Sequence, residues 1–412
     1  MIINFSIQNF GSVRNKQTLS FEADKSTHLE DYYVIPAIGG LRILKLGLIY
    51  GANASGKTTI LKALDFLRKI VLKPLDKKTE ELQFEPFLFD NETPKQNTIL
   101  SIEFIQNNVR YFYEVEFNNK AIVNEALYVY NPKKAKVFSR TTDFENQFTS
   151  IVFGNKIKID KTVVKILETN TLWNNTVLSG FLRTNMDCKE LKDVTDWFNL
   201  YLMQLVGTEQ SIENVVSVGL KESYIITEFV LNILQKADFN ISGINIENEI
   251  INNETNFSKK KISFEHTVNN KTYNLPIEHE SQGTIRYYGF SGFLFLLIKK
   301  SVAMPIDELE ASLHPDLFIH FLLAFLVNSK QSQIIATTHN REILNNKDIF
   351  RNDVIWFTDK SKDSATELYS LADFDSSMIR DTSNVYNAYK IGKLGGVPNL
   401  GDYYLDIENE KT

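Results

Sequence analysis

The sequence predicts an α/β protein: a mixed sheet with flanking helices plus an antiparallel β subdomain, interrupted by a mainly helical insertion. Three observations carry that reading. Residues 48 to 64, LIYGANASGKTTILKAL, pass from a short apolar run through a glycine-bearing loop into a stretch of helical period. From Ser281 onward, apolar helices and strands alternate, which on this scale means parallel strands covered on both faces. Residues 1 to 24 and 100 to 131 alternate apolar and polar positions, the period of antiparallel strands.

In chain order, INFSIQNFGSVRNKQTLSFEA reads as a hairpin turning at GSVRN. LGLIY suits a buried strand, and TTILKALDFLRKIV suits a helix. Between them Gly51, Gly56, Lys57 and Thr58 fill the pattern G-x-x-x-x-G-K-[ST]. Glycines let the backbone wrap a phosphate chain without a Cβ in the way, so amide N–H groups and the positive helix end face the anion. The loop Gly51, Ala52, Asn53, Ala54, Ser55, Gly56, Lys57, Thr58 and Thr59 is therefore the expected nucleotide cradle. Lys57 would reach the β- and γ-phosphates and Thr58 would offer its hydroxyl to Mg²⁺.

Leu100 to Asn131 reads as a meander with turns at NN and NNK, and residues near 155 to 238 read as mostly helical (VVKILE, VTDWFNLYLMQLV, ESYIITEFVLNILQKA). No sustained heptad is present, which argues against a long coiled coil. ISGINIENEI and KKKISFEHTV are strand-like. YYGFSGFLFLLIKK is an apolar helix, SVAMPIDELE a strand ending in acids, HPDLFIHFLLAFLV a helix, and SQIIATTHN a strand ending in His339. The expected divisions are 1–150 for the N-terminal lobe, 151–240 for the insertion, 241–372 for the C-terminal lobe and 373–412 for a tail.

Asp307 and Glu308 follow a hydrophobic run, so both are expected at the carboxyl edge of a central strand, where the phosphate loop also opens. There Asp307 can hold Mg²⁺ through water, and Glu308 can orient and deprotonate an attacking water. Pro305 is at odds with a central strand, because it lacks a ladder donor. In EHESQGTIRYYGF, Ser281 and Gly283 open the apolar helix, and a hydroxyl with a close glycine amide at a helix N-terminus can receive an anion.

Composition bounds the class. The chain is 43% hydrophobic and 23% charged, with no apolar run long enough to span a membrane and no signal peptide, so a cytoplasmic protein without a membrane partner is expected. Its one cysteine, Cys188, excludes an intrachain disulfide and a multi-cysteine metal site, leaving packing as its expected role. A net charge of −6 and a pI of about 5.7 make avid nonspecific DNA binding an unexpected default. Local basic runs, Lys133, Lys134 and Lys136 in NPKKAK and Lys259 to Lys261 in FSKKKISF, read as solvated hairpin tips.

With these motifs in order, the chain resembles an ABC-type P-loop ATPase head. GANASGKT stands as Walker A, SQGT where that family has its LSGGQ signature, AMPIDE as Walker B, ASLH as the D-loop and TTHN as the histidine switch. The intervals from Ser281 to Asp307 and from Asp307 to His339 are close to the family's. The longer interval from Lys57 to Ser281 resembles the SMC and DNA-repair branch, where a large insertion splits the fold. Two departures disfavour a transporter subunit: Glu280 and Thr284 flank the signature, and His314 stands where transporters have aspartate.

A narrower resemblance, carried by ESQGT, IDELEASLHP, TTHN, RNDVIWF and YKIGKLGGVPNL, is to the stand-alone ATPase subunits of bacterial anti-phage and abortive-infection operons, the RloA and AriA kind. It implies ATP and Mg²⁺ as cofactors and a homodimer or higher even-numbered assembly with ATP sandwiched head to tail, each γ-phosphate meeting Ser281 and Gly283 of the other subunit. It further implies Glu308 as base, His339 on the γ-phosphate, and a metal shared by Thr58, Asp307 and a Q-loop glutamine, with Gln83 in ELQFEPF as candidate. DNA or a phage component would be the trigger. About seventy residues follow His339, too few for a TOPRIM domain, so a TOPRIM-type nuclease effector would be a separate protein. The rival readings are an SMC-type DNA repair or chromosome-maintenance clamp, discriminated by salt-dependent DNA affinity, and a metabolic kinase, which would leave SQGT, the D-loop and His339 without purpose. The acidic end, with Asp402, Asp406, Glu408 and Glu410, reads equally as a partner contact or a surface tail.

Overall fold

The computed structural model describes residues 1–213, 224–237, 239–252, 257–374 and 384–398, with the side chains of 248–252 and 257–260 outside that description. The N-terminal alternation forms strands β1 (Ile2–Gln8) and β2 (Gln17–Ser20), paired antiparallel. Short strands β3 (Val34–Pro36) and β4 (Arg42–Leu44) precede β5 (Leu46–Gly51), every residue of which is buried. The phosphate loop follows, then helix α1 (Lys57–Leu72). The meander is β6 (Thr98–Gln106), β7 (Val109–Phe117), β8 (Ile122–Tyr130), β9 (Lys134–Asp143) and β10 (Phe148–Phe153). Because β1 also pairs antiparallel with β6, hairpin and meander merge into one seven-stranded sheet, β10-β9-β8-β7-β6-β1-β2. Period two is visible along β7, where Tyr111, Tyr113, Val115 and Phe117 are buried and the residues between them are half-buried. The expected boundary at 150 falls inside β10.

The next segment supplies α2 (Lys161–Asn170), α3 (Val177–Phe181), α4 (Lys189–Asp196) and, after a π-helical turn at Trp197–Tyr201, later α5 (Tyr224–Lys236). Helical period extended through MQLV, but residues 202–206 are extended instead. Leu202 and Val206 bury themselves by bridging in parallel to Ala303 and Ile306. Tertiary burial at an open sheet edge here overrides local propensity.

Strands β11 (Gly243–Asn252), β12 (Phe257–Val268) and β13 (Lys271–Pro276) form a separate antiparallel sheet. Then come α6 (Gln282–Lys299), β14 (Ala303–Ile306), α7 (Pro315–Asn328), β15 (Gln333–Thr337), β16 (Ile355–Lys360), β17 (Thr366–Ser370) and α8 (Val385–Lys390). The second main sheet has the order β14-β15-β5-β16-β17, its first four strands parallel and β17 antiparallel. The strand leading to Asp307 is thus at the end of the regular sheet rather than central, with residues 202–206 along its outer side. Pro305 O accepts from Val206 N–H at 2.9 Å while Val302 O accepts from Gln333 N–H at 2.8 Å. The proline's missing donor therefore faces residues 202–206 and costs the ladder to β15 nothing.

Two buried polar groups join these layers. Gln333, fully buried, accepts from Ile2 N–H at 2.6 Å and Tyr201 O–H at 2.9 Å, and donates to the carbonyls of Ile2 and Leu44, both at 3.0 Å. Glu125 on β8 accepts from Tyr113 O–H at 2.9 Å and from Val177 N–H at 2.7 Å, tying α3 to the seven-stranded sheet. Burial pushes the Glu125 carboxyl up to about 7, with Arg140 opposing. A raised carboxyl pKa means the folded chain keeps a proton that the unfolded chain has released. Its contribution is complete below the ordinary carboxylate range and is lost as pH rises through about 7. The unfolding free energy of wild type relative to Glu125→Gln should accordingly fall by up to about 3 kcal/mol between about pH 4 and pH 8. Denaturant titrations giving a pH-independent difference would exclude this protonation.

Cys188 is buried at the N-cap of α4, where burial pushes its thiol up to about 11, in keeping with packing. Lys133, Lys134 and Lys136 are exposed at the β8–β9 turn, and Lys134 Nζ lies 4.6 Å and 4.3 Å from the ring centres of Phe112 and Tyr128. Lys261 is exposed on β12, whereas the side chains of Lys259 and Lys260 lie outside the described residues. So do Asp402, Asp406, Glu408 and Glu410 of the tail. Among the described residues no helix is long and apolar enough to cross a membrane.

Candidate functional site

The loop leaving β5 needs glycine at both ends. A Cβ on Gly51 would lie 2.4 Å from Ser55 Oγ and from Thr358 Oγ1, and one on Gly56, whose φ is 107°, would lie 2.1 Å from Thr366 Oγ1. Ala54 also sits in the left-handed region, at φ 62°. Ser55 anchors the turn, its hydroxyl 2.6 Å from Thr358 Oγ1 and its carbonyl accepting from Thr366 O–H at 2.8 Å. Asn53 and Ala54 are exposed at the tip, and Ala52 is half-buried. Thr59 is committed to packing, with Oγ1 3.1 Å from Ser12 Oγ. Gly56 caps α1 without any side-chain hydrogen bond, so the first-turn amides of this helix stay available to an anion.

Lys57 is 6% exposed, and its ammonium donates to Gly51 O at 3.0 Å and Ala52 O at 3.1 Å. Burial lowers its pKa, while Glu308, Asp307 and Glu310 pull it back up. Thr58 donates to Asp307 Oδ1 at 3.0 Å, and Thr337 donates to the same oxygen at 2.6 Å. Thr337 Oγ1 in turn accepts from Glu308 N–H at 2.7 Å. Glu308 itself is exposed and adopts φ 47°, a conformation a non-glycine residue keeps only when its surroundings enforce it. Glu310 accepts from His339 N–H, and among the described residues its other carboxylate oxygen is buried without a hydrogen-bond partner. His339 is exposed beyond the end of β15, and partial burial and the Lys57 charge lower its pKa, with Glu310 and Glu308 opposing.

The donors fit the groups that the motif implies. A loop in which neither Gly51 nor Gly56 has room for a Cβ, with a buried ammonium and uncapped amides, suits a triphosphate. A hydroxyl beside one carboxylate, Thr58 and Asp307, suits Mg²⁺, which takes few protein oxygens and completes its shell with water and phosphate.

The structure brings Lys57, Thr58, Asp307, Glu308 and His339 to one sheet edge, but it does not bring every expected residue there. Ser281 caps α6, its Oγ accepting from Thr284 N–H at 3.0 Å and lying 2.8 Å from Thr284 Oγ1. Gly283 faces Ser312, whose carbonyl oxygen a Cβ would meet at 3.1 Å. Among the described residues no hydrogen bond links Ser281 or Gly283 to residues 51–59. Gln83, expected beside the metal, is exposed and donates to Glu81 O at 3.2 Å, with no hydrogen bond to the Thr58–Asp307 pair. Glu280 is paired with His266 at 2.7 Å, and His314 serves as N-cap of α7, accepting from Asp316 N–H at 3.3 Å. Helix initiation thus accounts for a histidine at that D-loop position. Thr337 and Glu310 were not anticipated. Their only signals were the doubled threonine of IIATTHN and the second glutamate of IDELE.

A parallel sheet whose β5 opens into a glycine-ended phosphate loop, with carboxylates from the end of β14 two strands away and an antiparallel lobe alongside, has the architecture of a P-loop ATPase domain. The family described as "AAA domain, putative AbiEii toxin, Type IV TA system" matches residues 48–155 and 197–345, more than half of the chain, and the chain belongs to it. Among solved structures it is similar to the SMC head domain from Thermotoga maritima, at 14% identity and a TM-score of 0.44 over 90% of this chain and 98% of that one. It is also similar to an SMC head bound to the C-winged helix domain of ScpA, at 15% identity and a TM-score of 0.42 over 90% of this chain and 97% of that one. A third is an SMC head with an extended coiled coil bound to the C-terminal domain of ScpA, derived from Pyrococcus furiosus, at 12% identity and a TM-score of 0.41 over 95% of this chain and 98% of that one. No curated protein gives a significant match.

Proposed function

We propose that this chain is an ATP-hydrolysing switch that pairs with a second copy around ATP and controls a separate effector protein. The observation that carries this reading is the relay Thr58–Asp307–Thr337–Glu308, which joins the phosphate loop to the ends of β14 and β15 through contacts of 3.0, 2.6 and 2.7 Å. Lys57 and the α1 amides hold the β- and γ-phosphates. Thr58 and Asp307 hold Mg²⁺, which supplies charge neutralisation at the phosphates when bound. Glu308, exposed beyond the relay, orients a water and takes its proton, and His339 steadies that water and the γ-phosphate. The α6 N-terminus at Ser281 and Gly283 completes the site of the other copy, adding partial positive charge across the seam. ATP then acts as a ligand that favours the paired state, and hydrolysis releases it. The resemblance of ESQGT, IDELEASLHP and YKIGKLGGVPNL, together with the toxin–antitoxin description of the family, supports an anti-phage role with a TOPRIM-type nuclease as effector.

Subunit mixing tests the shared site. Ser281→Arg and Lys57→Ala should each be inactive alone, the first lacking a usable helix end and the second a usable loop. Mixed, they form a pair with one intact composite site, so ATPase turnover should reappear. If the mixture stays as inactive as its components, the site is not built across two copies.

A further inference from the structure

Residues 384–398 lie beyond the part of the chain that the family matches, and nothing above gives the glycine-rich run YKIGKLGGVP a task. Its contacts are with the end of β5, with β16 and β17, with Arg341, and with the start of the phosphate loop. Helix α8 buries Tyr389, whose ring meets Tyr50 edge-on at 5.9 Å and Phe357 at 5.2 Å. The Arg341 guanidinium lies 5.2 Å from the centre of the same ring, and Arg341 is two residues past His339. The chain then doubles back through Gly392, Gly395 and Gly396, at φ 79°, 68° and 64°.

This return is pinned at three points. Leu394 O accepts from Tyr369 O–H at 2.9 Å, Gly396 N–H donates to Asp359 Oδ2 at 3.1 Å, and Gly396 O accepts from Tyr389 O–H at 3.0 Å. Gly396 is thereby seated on the start of the phosphate loop: a Cβ there would lie 3.5 Å from Gly51 Cα and 3.4 Å from Thr358 O. Thr358 is also the residue whose hydroxyl holds Ser55. A Cβ on Gly395, at φ 68°, would fall 2.2 Å from Tyr369 Oη, so a larger residue would have to displace the hydroxyl that holds Leu394 O. Val397 and Pro398 line a cavity of about 630 Å³ together with Gly51, Asn53, His339 and Arg341. A single segment thus touches the phosphate loop on one side and the His339 arm on the other.

We propose that this strap, Tyr389 to Pro398, is a positioning element for nucleotide: Asp359 and Tyr389, acting through the Gly395–Gly396 turn, hold the first half of the phosphate loop in its receiving shape and tie it to the His339 arm. The proposal rests on the ATP-binding reading given above. It differs from a merely structural cap on the sheet end in what it predicts. A cap affects the stability of the ligand-free protein, whereas a positioning element affects nucleotide affinity and turnover in a protein that is still folded.

The test uses full-length Asp359→Ala, Asp359→Asn and Tyr389→Phe, with the melting temperature of the ligand-free protein, titration with a fluorescent ATP analogue, and ATP turnover. Asp359→Ala should weaken nucleotide binding about tenfold, the scale of a lost charge-assisted hydrogen bond, and should lower turnover at saturating ATP. Asp359→Asn, which keeps an acceptor for Gly396 N–H, should recover most of both. Tyr389→Phe keeps the ring and loses only the bond to Gly396 O, and it should weaken binding about threefold with the melting temperature within a few degrees of wild type. Wild-type affinity and turnover in both Asp359→Ala and Tyr389→Phe would overturn the proposal, as would a loss confined to melting temperature. Should Asp359→Ala fail to fold, Tyr389→Phe decides alone. A wild-type chain that binds no nucleotide would defeat the ATP reading and this one with it, whereas binding that is normal in wild type and both variants defeats only this one.

Discussion

Lys57→Ala should lose nucleotide binding by roughly two to three orders of magnitude, the cost of truncating a buried, hydrogen-bonded charge. The expected effect is large because the ammonium does two things at once. It holds the carbonyls of Gly51 and Ala52, at 3.0 and 3.1 Å, which fixes the entry of the loop. It is also the positive charge set against Asp307, Glu308 and Glu310. Without it a polyphosphate meets the same three carboxylates with one positive charge fewer, leaving the backbone amides of α1 and Mg²⁺ in compensation. Titration with a fluorescent nucleotide measures the loss, and circular dichroism separates it from unfolding. Unaltered affinity would remove the phosphate loop from the site altogether.

What could be read from the residues divides along a physical line. The phosphate loop was legible because its function is a property of local backbone: glycines where no Cβ fits, a helix starting at Lys57, an apolar strand before it. The order of Ser281, Asp307 and His339 was legible for the same reason, each sitting at an element boundary marked by its own sequence. The N-terminal hairpin and the meander were legible as strands but not as one sheet, since the pairing of β1 with β6 joins residues about a hundred positions apart. Residues 202–206 have helical period and are extended because the edge of β14 is there to be covered. Glu310 and Thr337 make their contacts only when β14 and β15 lie side by side, so the doubled threonine and the second glutamate near them in the chain do not reveal those contacts. The strap is the extreme case. Its three glycines permit a bend, but what the bend embraces, Gly51, lies more than three hundred residues earlier.

The same contacts decide what a change at Glu308 should do. Its carboxylate is exposed at the rim, while its backbone, at φ 47°, is held by the bond from its N–H to Thr337 Oγ1, and Thr337 is held by Asp307. The side chain is therefore presented by a framework that Glu308→Gln leaves intact, since glutamine has the same length and none of those bonds involves the carboxylate. Binding should stay within a few-fold of wild type. Turnover should fall by about two to three orders of magnitude, because a positioned base is lost and nothing else. A copy that binds but does not hydrolyse has no means of dissolving the seam, so light scattering should show a persistent ATP-bound pair where wild type returns to the smaller species as ATP is consumed. Turnover at the wild-type rate would move the role of base to the second glutamate of IDELE, Glu310. Glu310 is the candidate for it: one of its oxygens accepts from His339 N–H, and among the described residues the other is buried with no hydrogen-bond partner.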